Sequence, residues 1–176
     1  MVEQLAVNEL VGGSNPSWGA NFTEMKMIDM KAQKYGIHGF FGPFRFLSNF
    51  HLVPVEFDGH VYPSTEHAYQ AAKTNDQAIR EAFALAGLTP AEVKRFSKEL
   101  PTDEVWHTAR KFEVMLELTR KKYAKDPLKQ MLLDTGDLYL EETNHWGDTC
   151  WGVCGGVGDN HLGRIIMQVR DELRSS

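Results

Sequence analysis

Cysteine is nearly absent: the 176 residues hold two, Cys150 and Cys154. These make no disulfide framework, so a reducing compartment is expected. No apolar run approaches the ~18 residues that a membrane helix requires. The N-terminus has neither the basic start and apolar stretch of a secretory signal nor a lipidation pattern, so the expected location is the cytoplasm, with no membrane partner. Positive charge is also scarce, since 19 lysines and arginines against 24 aspartates and glutamates give a net charge of −5. That balance argues against tight non-specific DNA or RNA binding, while a local basic patch could still handle a nucleotide or a nucleic-acid end.

Several familiar signatures are missing as well. There is no Gly-x-Ser-x-Gly elbow, Walker loop or His-Glu-x-x-His. Gly156-Val157-Gly158 begins like a dinucleotide fingerprint but lacks the third glycine and follows no clear strand, which excludes a Rossmann reading. His145, Cys150, Cys154 and His161 lie close in sequence, yet their spacing matches no standard zinc pattern. Neither a metal nor a cofactor is expected. No internal repeat or heptad run occurs.

What is present divides the chain in two. Residues 1–35 read as a disordered or misannotated extension, because Gly12-Gly13-Ser14-Asn15-Pro16-Ser17 interrupts them and no period persists. The codons GGT GGT TCG AAT CCC would encode Gly12 to Pro16 and resemble the T-loop of a transfer-RNA gene. The expected start is therefore Met25, Met27 or Met30. Residues 36–176 read as one domain, long enough to bury a real core.

Within that domain, Asp58-Gly59 between two alternating runs predicts a hairpin and a small antiparallel sheet. The remainder is mostly helical. Pro63-Ser64-Thr65 caps a helix over 66–73, a second covers 77–86, and Thr89-Pro90-Ala91-Glu92 opens a third with a capping box. A longer helix is expected over 103–123, with Val105, Ala109, Phe112, Leu116 and Tyr123 along its apolar stripe. Another follows Asp126-Pro127, Leu138-Tyr139-Leu140 forms a short strand, and a last helix over 162–174 turns Ile165, Ile166, Val169 and Leu173 inward. The fold class is α+β, predominantly helical.

Three segments carry candidate chemistry. On the helix over 66–73, Glu66, Gln70 and Lys73 share one side, so an acid, an amide and an amine can line one wall of a pocket. Asp148-Thr149-Cys150-Trp151-Gly152 runs through Gly155, Gly156 and Gly158 into Asn160 and the last helix. Glycines admit close backbone approach and a helix N-terminus carries partial positive charge, so this loop can cradle a phosphate while Asp148 and Trp151 face the attached group. The bland alternative is a turn around a buried indole. Trp106 beside Arg110 can stack a planar base, or simply belong to the core. Arg45 and Asn49 are polar groups set in the aromatic run Phe44 to Phe50, as a ligand wall requires, and a structural role for Asn49 fits equally.

Taken together, these motifs resemble the NADAR domain family, also called YbiA-like. The resemblance runs through Phe46-Leu47-Ser48-Asn49-Phe50, Tyr62-Pro63-Ser64-Thr65-Glu66-His67-Ala68-Tyr69-Gln70-Ala71-Ala72-Lys73, Trp106, Met115, Leu133-Asp134-Thr135-Gly136-Asp137, Asp148-Thr149-Cys150-Trp151-Gly152 and Gly158 to Arg170. It extends from Gly39 to Leu173, in order. It implies a compact, mainly helical α+β domain and N-glycosidase activity on ribosyl–nitrogen bonds. The implied substrates are riboflavin-pathway ribosylaminopyrimidine phosphates or ADP-ribose on guanine of nucleic acid. It also implies functional weight on Glu66, Trp106, Asp148 and Trp151, then on Lys73, with Arg45, Asn49, Gly152 and Asn160 as further ligand contacts.

Cleaving a ribosyl C–N bond builds positive charge at the anomeric carbon while the nitrogen departs, so a carboxylate near that carbon and a proton for the leaving group both lower the barrier. Asp148 is expected to stabilise the cation or orient water, Glu66 to move the proton, and Trp106 or Trp151 to stack on the base. A second route uses Lys73 in a Schiff base. The rival from another class is a module that binds ADP-ribose or a related nucleotide without turnover.

Overall fold

Asp58-Gly59 turns the chain as its composition requires, both residues taking positive φ, 48° and 80°, in the two-residue hairpin geometry that matches strand twist. The computed structural model describes residues 36–85 and 87–176, so the reading of residues 1–35 lies outside the described residues. The turn joins β2 (Leu52–Phe57) to β3 (His60–Ser64) in antiparallel register. Two further pairs are parallel: β1 (Gly36–His38) with β4 (Tyr139–Glu141), and β5 (Thr143–Asn144) with β6 (Val153–Cys154). Of these, the sequence marked only the strand near Tyr139, because runs of two or three residues are too short to display a period of two.

Helix α1 (Thr65–Ala71) is the centre of the domain, and all seven of its residues are buried. Ser64 caps it by accepting from the His67 N–H. The buried His67 ring adds two anchors, Nδ1 to Ser64 Oγ at 2.8 Å and Nε2 to the Leu88 carbonyl at 2.9 Å, fixing α1 to the loop just ahead of the Thr89 cap. Around it pack α2 (Gln77–Ala84), α3 (Pro90–Phe96, with the full Thr89/Glu92 capping box) and α4 (Lys111–Lys122). Helix α5 (Leu128–Leu133) and the amphipathic α6 (His161–Arg174) complete the domain, α6 packing on α4, α5 and β4.

The stripe expected along the long helix is corrected by a π turn at Trp106–Arg110. One residue more per turn rotates everything downstream by about 100°. Val105, just before the turn, is 63% exposed, and the buried positions are Trp106, then Val114, Met115, Leu118, Thr119, Lys122 and, as expected, Tyr123.

Lys122 is an ammonium with almost no solvent contact, its Nζ donating to the Ser48 carbonyl at 2.8 Å. Burial pushes it down to about 7, with Glu142 pulling it up and Arg45 adding to the fall. The folded protein thus holds this proton less tightly than the unfolded chain, so the contribution of Lys122 to stability rises as pH climbs from about 7 towards the unfolded value of 10.5. Lys122→Met lacks that dependence. Melting of both proteins at neutral and alkaline pH should show the balance moving towards wild type as pH rises; a constant difference contradicts it.

Candidate active site

Helix α1 delivers Glu66, Tyr69 and Gln70, and the turn after it delivers Lys73, to one cavity of about 610 Å³. Gln70 Nε2 donates to Glu66 Oε1 at 2.7 Å, Ser97 Oγ donates to Gln70 Oε1, and Lys73 Nζ reaches Ser97 Oγ at 3.4 Å. The acid, amide and amine expected on one wall are therefore joined through a buried serine from the segment after α3. Burial raises the Glu66 carboxyl above its ordinary range, although Lys94, the Gln70 hydrogen bond and Lys73 pull the other way. Burial lowers the Lys73 ammonium.

The opposite wall comes from the segment between β5 and β6. Asn144 grips it at both ends of Asp148, donating from Nδ2 to the Asp148 carbonyl at 2.7 Å and accepting at Oδ1 from the Asp148 N–H at 3.1 Å. Asp148 Oδ1 in turn accepts from the Cys150 and Trp151 N–H groups at 3.1 and 2.8 Å, fixing the carboxylate beside the indole. Trp151 stands edge-on to Tyr69 with ring centroids 5.6 Å apart. Glu66 and Asp148 thus face one space from walls far apart in sequence.

Of the residues expected from the sequence, Arg45, Asn49, Glu66, Lys73, Asp148 and Trp151 line this cavity. Trp106, Gly152 and Asn160 are not on its lining. Trp106 is buried behind Tyr69, centroids 5.5 Å apart, and lines a neighbouring cavity that also touches Lys73. Gly152 lies against the β4–β5 connection, where an added Cβ would collide with the Glu142 carbonyl oxygen. Asn160 takes left-handed backbone, φ 52°, and spends its side chain on the fold: Nδ2 donates to the Leu140 carbonyl and Tyr139 hydroxyl, and Oδ1 accepts from the Glu142 N–H.

The phosphate cradle expected at the last helix also needs correction. The N–H groups of Asp159, Asn160, His161 and Leu162 already donate to the carbonyls of Thr149, Gly152, Cys150 and Trp151. Glycines 155, 156 and 158 lie outside the cavity, serving a tight reversal with positive φ. A phosphate there would have to displace bonds that hold the Asp148 segment to α6.

Other lining residues escaped the sequence reading. Lys94 and Lys98 are spaced i, i+4 across the end of α3, a pattern that looks like an ordinary solvated face. Lys94 and Arg45 flank the Phe50 ring, 5.8 and 5.9 Å from its centroid. Phe41 and Trp146 line the cavity as well and are 67% and 66% exposed. Glu142 also lines the cavity; the only signal in the sequence was the doubled acid Glu141-Glu142 after a short strand.

A family model, the NADAR domain, matches residues 18–174. The chain belongs to the NADAR family. Among its relatives, a riboflavin biosynthesis protein of Vibrio vulnificus is 40% identical over 133 residues, covering 73% of this chain and 35% of that protein, so the chain spans about a third of that relative. The N-glycosidase YbiA of Escherichia coli is 32% identical over 130 residues, covering 72% of this chain and 79% of that protein. An N-glycosidase of Nostoc punctiforme is 34% identical over 143 residues, with 76% and 88% covered. The solution structure of E. coli YbiA superposes with a TM-score of 0.68 at 28% identity, over 83% of this chain and 93% of that one. This NADAR domain accordingly has the predominantly helical α+β fold that its sequence implied. Among the described residues, no helix is long and apolar enough to cross a membrane, and no cluster of three or more histidine, cysteine or acidic side chains could hold a metal.

Proposed function

We propose that the protein is an N-glycosidase that hydrolyses a ribosyl C–N bond in a phosphorylated ribosyl-base substrate. The observation that carries this reading is the convergence of Glu66 and Asp148 from opposite walls on one cavity that also holds Lys73 and Trp151. Its volume of about 610 Å³ suits a nucleotide-sized ligand. The names of the Escherichia and Nostoc relatives, both N-glycosidases, support the same chemistry.

In this reaction Glu66, whose carboxyl burial raises above its ordinary range, gives a proton to the departing nitrogen. Asp148 stands at the anomeric carbon and stabilises the positive charge that builds there. Trp151, with Trp146 and Phe41 at the mouth, stacks on the base. The phosphate end goes to Arg45, Lys94 and Lys98, which make no ion pair among the described residues and so keep their charge for a ligand.

A ribosylaminopyrimidine phosphate is the preferred substrate, on the relative named for riboflavin biosynthesis and on the net charge of −5. ADP-ribose on guanine of nucleic acid is the second. Incubation with each, followed by mass spectrometry of the released base, tests the choice; release from neither contradicts the hydrolase reading. Charge removal at the phosphate end gives a second check. Arg45→Ala combined with Lys94→Ala should raise KM by roughly 10–100-fold for the phosphorylated substrate, the value of one or two charged hydrogen bonds. An unchanged KM would move the phosphate elsewhere.

A covalent route has one observation in its favour, the lowered ammonium of Lys73 on the cavity wall. An amine that loses its proton more readily can form a Schiff base with a ring-opened ribosyl imine. Borohydride added during turnover traps Lys73 if that route operates; no adduct eliminates it.

A further inference from the structure

The hydrolysis described above gives no task to Glu142, although its backbone is held on both sides. Its N–H donates to Asn160 Oδ1 at 3.1 Å, and its carbonyl accepts from the Val153 N–H at 2.9 Å. Gly152 fits against that carbonyl only because it has no Cβ. A backbone clamped on both sides aims a side chain reproducibly. That side chain lines the cavity with Glu66 and Asp148, and its Oε2 is buried with no hydrogen-bond partner among the described residues. A buried carboxylate oxygen left unsatisfied is costly unless a ligand or a reacting group completes it.

Resting on the hydrolase reading, we propose that Glu142 is the general base that activates the attacking water. The water gives one proton to the Glu142 carboxylate as its oxygen bonds to the anomeric carbon. The electron pair of the C–N bond departs with the nitrogen, which takes the proton of Glu66. Each turnover leaves Glu142 protonated and Glu66 ionised, and exchange with solvent through the open mouth restores both. Asp148 keeps the electrostatic role, its Oδ1 being already committed to two backbone donors. Gly152 and Asn160 become positioning residues that act through Glu142, which accounts for their place in the motif away from the cavity lining.

The surroundings suit a base that works near neutrality. Burial, then Asp148, push the Glu142 carboxyl up to about 7, while Lys94, Arg45 and Lys122 pull it down. A base with this affinity is half ionised at neutral pH and accepts a proton readily. Its active form is lost as pH falls through about 7, so kcat carries an acidic limb there.

The test is the pH profile of base release from a ribosylaminopyrimidine phosphate by the full chain. Glu142→Gln should lower kcat by ~10²–10⁴-fold, leave KM within a few-fold and abolish the acidic limb. Lys122→Met removes a cation that holds Glu142 down, so it should move the limb to higher pH, and it reads the same group if the first variant folds poorly. A structural role for Glu142 would instead lower Tm and leave the limb in place. Wild-type kcat in Glu142→Gln, or an unmoved limb in Lys122→Met, overturns the assignment while the hydrolase reading stands. Absence of base release by wild type overturns both.

Discussion

Glu66→Gln should reduce base release by ~10²–10⁴-fold, the usual worth of a positioned proton donor. The fold should hardly notice. The introduced amide oxygen still accepts from Gln70 Nε2, so the chain through Ser97 to Lys73 survives. The carboxyl is almost fully buried, and burial raises it above its ordinary range, so a neutral isostere of the same shape relieves a desolvation cost rather than adding one. Nucleotide binding should persist with a nearly unchanged Tm, because the cations at Arg45, Lys94 and Lys98 are untouched. Steady-state release together with a thermal-shift titration separates the outcomes. A rate equal to wild type removes Glu66 from the chemistry, whereas lost binding with a normal rate at saturation makes it a ligand contact only.

The second large effect is on stability. Gly152→Ala places a methyl group against the Glu142 carbonyl, the Asn144 side-chain amide and the Glu142 side chain at once. Two of these neighbours are immobile, since the Glu142 carbonyl pairs with Val153 and Asn144 grips both ends of Asp148. Overpacking of this kind costs ~1–3 kcal/mol, roughly 2–12 °C of Tm for a domain of this size. Base release should fall further than stability alone explains, because the displaced groups carry Glu142 and Asp148. Gly155→Ala is the control: nothing lies within 4 Å of an added Cβ there, and only its positive φ of 60° is strained. Its activity should match wild type. Equal losses in both variants would mean that close packing at Gly152 is unimportant.

The contrast between these positions shows what the sequence could and could not display. Placement set by a short regular segment was legible: Glu66, Gln70 and Lys73 do share one cavity wall, with Lys73 in the turn just past the helix, and the Asp58-Gly59 hairpin and the Thr89/Glu92 capping box follow from turn and cap preferences. Asp148 beside Trp151 was legible as a local pair, linked by a hydrogen bond over three residues. Glycine was the misleading signal. The same absence of a side chain that admits a phosphate also admits a carbonyl, and at Gly152 and Gly158 the neighbour is backbone. Asn160 misled for a related reason, since a buried amide at a helix entry serves strands and ligands alike. Trp106, expected to contact a ligand, lies beside Tyr69 and off this cavity's lining, and the π turn that begins at it leaves no mark in composition. Lys94, Lys98 and Glu142 reach the cavity only through tertiary packing, and nothing local distinguishes them from solvated charges.

The central claim is turnover, and the most direct measurement is the amount of free base produced per molecule of protein with substrate in large excess. The account predicts many equivalents of base from wild type and almost none from Glu66→Gln at equal ligand occupancy. Substrate that binds with a raised Tm and returns intact from wild type would contradict it and leave a nucleotide-binding module in its place.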